Sequence, residues 1–142
     1  MIRRKLGKRG TTAVEFALVL MPLMLLLFGI LEFGRLLWTK AAFQQTAMSV
    51  ARCMGVKQPA CATGTNVDTA KATTYALSLA TSFHVPLPAS ALALSASGTC
   101  GGQGGFSRVV ITSTFHVVVP LIQPFIGTAG DLGTIACFPN QV

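Results

Sequence analysis

The chain has 142 residues, of which 51% are hydrophobic and 11% are charged. This composition excludes a mainly disordered protein, and its charge content is far below the roughly 25% of ordinary soluble domains. The formal net charge is +7, but residues 1–10 hold five of the eleven basic side chains and no acidic one. Residues 11–142 are nearly neutral and predict no basic face for nucleic acid.

A membrane span is predicted over about residues 13–31, where nineteen residues carry one charge, Glu15. As a helix this stretch is about 28 Å long, close to the roughly 30 Å of a hydrocarbon core. The basic residues 1–10 are expected to stay in the cytoplasm, so everything beyond the span is exported. The small-residue pattern of a cleaved secretory signal is missing after the span. Membrane lipid is therefore a predicted partner.

The helix is expected to continue to about residue 54, because one apolar stripe recurs at helical spacing beyond the span. Gly55 and Pro59 are expected to end it, and Pro22 to kink or loosen it. Glu32 and Arg35, three residues apart, predict an ion pair at the outer membrane surface or a simple polar boundary to the span. The stripe consists of Leu36, Phe43, Ala47, Val50 and Met54.

The C-terminal part, residues 55–142, predicts one further helix and a small sheet. Asn66 is expected to cap a helix over about 67–83. Alternating patterns then predict strands over 92–96, 106–119 and 132–138, with 98–105 as the hairpin connection and 120–130 as a longer loop. In the second strand the apolar residues, such as Val109 and Ile111, occupy odd-numbered positions. The fold class is therefore α+β, with a long N-terminal helix packed against an antiparallel sheet and one further helix.

The four cysteines predict disulfides, because an exported domain meets an oxidising compartment. Four cysteines allow three pairings. We favour Cys53–Cys61, which closes the loop after the long helix, and Cys100–Cys137, which ties the hairpin to the last strand. The spacings contain no CxxC motif, so no metal site is predicted.

The N-terminal region resembles the TadE-like family of minor pseudopilins, found in the tight-adherence (Flp-type) machinery of the type IV pilus superfamily. The resemblance covers about residues 8–54 and is weak beyond them. It is carried by the segments KRGTTAVEFALVL (residues 8–20), FGILEFGR (28–35) and SVAR (49–52).

This resemblance implies a precursor that a membrane prepilin peptidase cuts after Gly10. The leader would be residues 1–10, the mature chain would begin at Thr11, and the pilin-type helix would cover residues 11–54. Glu15 would be the fifth mature residue, followed by Phe16, and would set axial register by meeting a neighbouring subunit's α-amine. Implied partners are the peptidase and other pilins. The implied location is the bacterial inner membrane, with the C-terminal domain in the periplasm or in the pilus.

Alternatives to these implied roles remain open. Thr12 and Glu15 also fit a capping box at the helix start. The rival functions are a type II secretion pseudopilin, although Thr11 after the glycine favours the tight-adherence branch, and an uncleaved membrane-anchored binding module. No catalytic constellation, cofactor or enzyme activity is predicted from four acidic residues and two histidines. His84 and His116 are predicted to be solvated, since neither has a visible partner set.

Overall fold

The computed structural model describes residues 11–115 and 131–141. Helix α1 runs over Thr11–Gly55, and helix α2 over Thr69–Ser82. Three antiparallel strands in the order β3-β4-β5 form the main sheet, and β1 and β2 form a two-stranded ribbon between the helices. The strand bounds are Ala62–Thr63 (β1), Asn66–Val67 (β2), Leu92–Cys100 (β3), Gln103–Thr114 (β4) and Asp131–Pro139 (β5). The predicted α+β architecture is confirmed.

Helix α1 consists of two parts with different surroundings. Its 45 residues span about 68 Å at 1.5 Å per residue, and the helix is continuous through Pro22. Residues 12–31 are exposed almost throughout, whereas the core begins at Ala42. Four members of the predicted stripe are buried in that core: Phe43, Ala47, Val50 and Met54. The C-terminal part of α1 therefore belongs to the C-terminal domain.

The core lies between one face of the sheet and the two helices. Helix α1 packs on β4 and β5, and α2 packs on α1 and β3. Val109 and Ile111 on β4 are fully buried, as the odd-numbered pattern predicted. Helix α2 contributes its small buried face, Ala72, Ala76 and Ala80. These small side chains let α2 lie close to α1. The two helices together cover one face of the sheet.

Gly55 ends α1 at a point of close approach. A Cβ placed on Gly55 would lie 2.5 Å from Cδ1 of Phe138, which is closer than side chains pack. The Gly55 carbonyl accepts a hydrogen bond from the Gln141 backbone N–H at 3.0 Å. The glycine was expected as a helix terminator. In the structure, the missing side chain of Gly55 also lets Phe138 and the following residues pack against the end of α1.

The hairpin between β3 and β4 is tighter than predicted. Residues 98–105 were expected to form the connection, but Cys100 pairs with Gln103 and only Gly101 and Gly102 lie between the strands. Both glycines have positive φ, 59° and 83°. Such a two-residue turn matches the right-handed twist of its strands. The alternation of apolar residues stops before this turn. It therefore predicted the buried part of each strand, and the strands are longer than that part.

Helix α2 begins two residues later than predicted. Asn66 pairs with Thr63 in the β1–β2 ribbon, and the cap is Asp68 instead. Oδ1 of Asp68 accepts hydrogen bonds from the backbone N–H groups of Ala70 at 3.0 Å and Lys71 at 3.2 Å. Asn and Asp cap helices about equally well, so cap preference did not separate them. The β1–β2 ribbon has no clear sequence pattern. Because Asn66 belongs to this ribbon, Asp68 is the residue that caps α2.

The Asp68 cap is expected to make the stability of the domain depend on pH in acid. Hydrogen bonds from the Lys71 backbone and the Thr63 hydroxyl hold the Asp68 pKa below its ordinary value of 3.8. A lowered folded-state pKa means that the carboxylate's stabilising contribution is complete above about pH 4 and is lost as the pH falls through the folded-state pKa. The measurement is the thermal midpoint by circular dichroism between pH 2 and 7.

The matched variant is Asp68→Asn, which can still cap the helix but does not titrate. We expect the advantage of the native chain over this variant to be constant at neutral pH and to shrink below pH 4. An advantage that grows in acid would contradict the assignment of this cap. The comparison removes the contributions of the other carboxylates, which titrate in both proteins.

Candidate functional site

The start of α1 presents the predicted processing and register residues. Thr11 and Thr12 already lie within the helix, so Thr12 does not occupy the N-cap position that a capping box requires. Glu15 and Phe16 are both exposed. Thr11 and Glu15 are one helical turn apart, about 6 Å along the axis. Gly10, with the rest of residues 1–10, lies outside the described residues.

The first part of α1 is an apolar surface. One 18-residue window has a mean hydropathy of 2.5, and none of that window is buried. By length and composition, the helix can cross a membrane. Such a continuous apolar surface marks contact with lipid or with other proteins. Within the described part of the chain, nothing covers it.

The predicted boundary pair lies where this surface meets the C-terminal domain. Nη1 of Arg35 is 3.4 Å from Oε2 of Glu32. The Arg35 guanidinium carbon also lies 5.0 Å from the centre of the Phe115 ring, at the end of β4. The Glu32 side chain is 6% exposed, whereas that of Arg35 is 50% exposed. Arg35 therefore contacts both Glu32 on its own helix and the residue that directly follows β4.

A second contact holds α2 to α1 just beyond this pair. Nε1–H of Trp38 donates a hydrogen bond to the backbone carbonyl of Phe83 at 3.2 Å. The ring of Trp38 is otherwise exposed. The sequence does not reveal this partner of Trp38, because 45 residues separate it from Phe83. The same holds for the contact between Arg35 and Phe115.

The two disulfides join the pairs that the sequence favoured. Cys53–Cys61 closes the loop after α1, and both residues are buried. Cys100–Cys137 links β3 to β5 across β4. Among the described residues, no cysteine is free. Each disulfide therefore fixes a place where the chain leaves a helix or strand.

The chemistry available at these positions is hydrophobic contact and charge pairing. No group of three or more His, Cys, Asp or Glu side chains could hold a metal ion within residues 11–115 and 131–141. His84 follows α2, and His116 lies outside the described residues. What the described residues offer is a long apolar helix with one carboxylate near its start, joined to a disulfide-linked domain.

Comparison with known proteins gives one finding. A family model described as TadE-like protein matches residues 10–52. The match covers 43 of the 142 residues and coincides with helix α1 almost to its end. Searches of the curated proteins and of the solved structures give no match. The resemblance to the TadE-like family is thus confirmed over the long helix, and residues 53–142 lie outside the match.

Proposed function

We propose that this chain is a minor pseudopilin of a tight-adherence (Flp-type) type IV pilus, with a structural role in pilus assembly and adhesion. The observation that carries the proposal is the coincidence of the TadE-like match, residues 10–52, with the exposed apolar helix. A subunit of this kind needs a helix that lipid can hold before assembly and that neighbouring helices can cover afterwards. Helix α1 has the length and the surface for both environments.

The proposed topology is a single span of the bacterial inner membrane with a cytoplasmic N-terminus. The five basic residues among residues 1–10 support this orientation, since cytoplasmic flanks carry an excess of Lys and Arg. The two disulfides support a periplasmic position for residues 55–142, because such bonds persist in oxidising compartments.

The proposed maturation step is cleavage by a prepilin peptidase after Gly10. Cleavage frees a positive α-amine on Thr11, one helical turn from Glu15. An ionised carboxylate within a membrane segment is costly unless it is paired. In a filament, the amine of one subunit would meet Glu15 of its neighbour, with Phe16 packed beside the pair, and this would set the axial register.

The test of this proposal is the N-terminal residue and intact mass of the chain recovered from membranes that contain an active prepilin peptidase. We expect the native chain to begin at Thr11 and the Gly10→Ala variant to retain residues 1–10. Gly7→Ala is the matched control, since it alters the other leader glycine and is expected to be processed normally.

A native chain that retains residues 1–10 under these conditions would contradict the proposal and favour an uncleaved membrane-anchored binding module. A deletion strain separates the other rival. We expect it to lose piliation while protein secretion continues. Loss of secretion with pili intact would instead identify a type II secretion pseudopilin.

A further inference from the structure

A cavity of about 300 Å³ lies where α1 leaves its apolar part and enters the C-terminal domain. Arg35 is four residues beyond Leu31, about 6 Å along the helix axis from the end of the predicted span. If α1 spans the membrane as proposed, the cavity lies at the level of the lipid headgroups. The polar and aromatic residues that line it include Arg35, Trp38, Thr39, His84, Ser113 and Thr114.

The ion pair at this level is asymmetric. Glu32 is almost completely buried and does not line the cavity, whereas Arg35 lines it and is half exposed. The Nη1 contact with Glu32 and the Phe115 ring hold the guanidinium in place. A guanidinium is planar and presents several N–H donors in a fixed fork, a geometry suited to phosphate oxygens. The pair therefore presents its positive partner to the cavity.

His84 also lines the cavity and is exposed, and its backbone adopts a conformation that is uncommon for residues other than glycine. Its φ is 57°, in the left-handed region. The backbone N–H of His84 donates to the Thr81 carbonyl at 2.9 Å, and that of Val85 to the Ala80 carbonyl at 3.0 Å. These two bonds end α2 in the Schellman arrangement, in which glycine usually occupies the left-handed position. A histidine there is a departure from the usual local choice, and such departures cluster at functional sites.

The contact between Trp38 and the Phe83 carbonyl determines where His84 is held relative to α1. Because Phe83 directly precedes His84, the indole fixes the turn that carries the imidazole. The end of β4 adds Ser113, which lies on the same face of the strand as the buried Val109 and Ile111. Three separate elements thus bring Arg35, His84 and Ser113 around one cavity.

We propose that this cavity binds the phosphate group of a membrane phospholipid, with Arg35 and His84 as its principal contacts. The inference rests on the proposed membrane span, which places the cavity beside the headgroups. A phosphodiester carries one negative charge and oxygen acceptors that suit a guanidinium, an imidazole and hydroxyl groups. An indole at this level suits the interface between lipid and water. Lipid binding would fix the height of the C-terminal domain above the membrane before assembly.

Trp38 makes the proposal directly measurable, because it is the only tryptophan of the chain. The experiment uses the full chain in dodecyl maltoside, a detergent without phosphate, and titrates it with dihexanoyl-phosphatidylglycerol. We expect a saturable change in Trp38 fluorescence. Dioctanoylglycerol, which lacks the phosphate, and inorganic phosphate, which lacks the lipid, are titrated in parallel. An equal response to dioctanoylglycerol would show simple partitioning and overturn the proposal, and an equal response to inorganic phosphate would show a site for free anions instead.

Two variants test the assigned contacts independently. Arg35→Gln removes the guanidinium, and His84→Asn removes the imidazole while keeping a residue that tolerates the left-handed backbone. Each is expected to weaken phosphatidylglycerol binding about tenfold, as for the loss of a charged hydrogen bond. Arg52→Gln, which removes an exposed charge at the far end of α1, is the control and should bind as the native chain does.

Native affinity in both variants would overturn the assignment of the site. If Arg35→Gln misfolds because the buried Glu32 loses this contact, His84→Asn still decides the question. N-terminal processing is measured on the same variants and does not depend on the cavity. Failure of lipid binding with normal cleavage after Gly10 would therefore leave the proposed function intact.

Discussion

Replacing Glu15 with glutamine is expected to leave cleavage after Gly10 intact and to abolish incorporation into the filament. The substitution keeps the size of the side chain but leaves the neighbour's α-amine without a carboxylate partner. Removing one partner of a buried ion pair costs about 3–5 kcal/mol, or more than a hundredfold in association. The measurement is the fraction of mature chain recovered in sheared pili, compared with the fraction left in the membrane.

Glu15→Asp is the matched control for this prediction. It retains the negative charge on a side chain one methylene shorter, so we expect partial incorporation. Incorporation of Glu15→Gln at native levels would contradict the register role and leave Glu15 as an ordinary polar residue near the helix start. Loss of cleavage in Glu15→Gln would instead assign the residue to recognition by the peptidase.

Removal of the Cys100–Cys137 disulfide is expected to lower the free energy of unfolding of the C-terminal domain by about 4 kcal/mol. The bond closes a loop of 37 residues, and the chain-entropy model gives about this value for a loop of that length. Cys137 is exposed and Cys100 is half-buried, so their replacement by serine should add little packing loss. The loss is a large part of the 5–15 kcal/mol that holds an ordinary domain folded.

The measurement is denaturant unfolding of the native chain and the Cys100→Ser, Cys137→Ser double variant, each with and without reductant. Thr99→Ser, at an exposed neighbouring position of β3, serves as the control and should unfold like the native chain. An oxidised native chain that is no more stable than the double variant would contradict the prediction. Reductant should still lower the stability of the double variant, because Cys53–Cys61 remains.

Several features of this chain were determined by local sequence. The apolar run of residues 13–31 predicted the exposed part of α1, since hydrocarbon thickness sets the length of a span. The stripe from Phe43 to Met54 predicted the buried part, since helical periodicity decides which side faces a core. The odd-numbered pattern around Val109 likewise predicted which side of β4 is buried.

Tertiary contacts decided what local preference left open. Asn66 and Asp68 are equivalent as caps, and the pairing of Asn66 with Thr63 left the cap to Asp68. Strand pairing likewise extends the β3–β4 hairpin to Gly101 and Gly102, beyond the residues whose alternation of apolar side chains predicted the strands.

The surroundings of the membrane junction depended most on the fold. Glu32 and Arg35 are neighbours in sequence, so their pairing was predictable, but the Phe115 ring reaches Arg35 only because the end of β4 packs beside α1. His84 is exposed, as predicted, and nothing near it in sequence indicates which residues lie beside it. The sequence by itself determined the long helix and its apolar surface through periodicity and length, which are local properties. Only the tertiary structure brought Arg35, Trp38 and His84 to one cavity, because contacts between distant segments have no local signal.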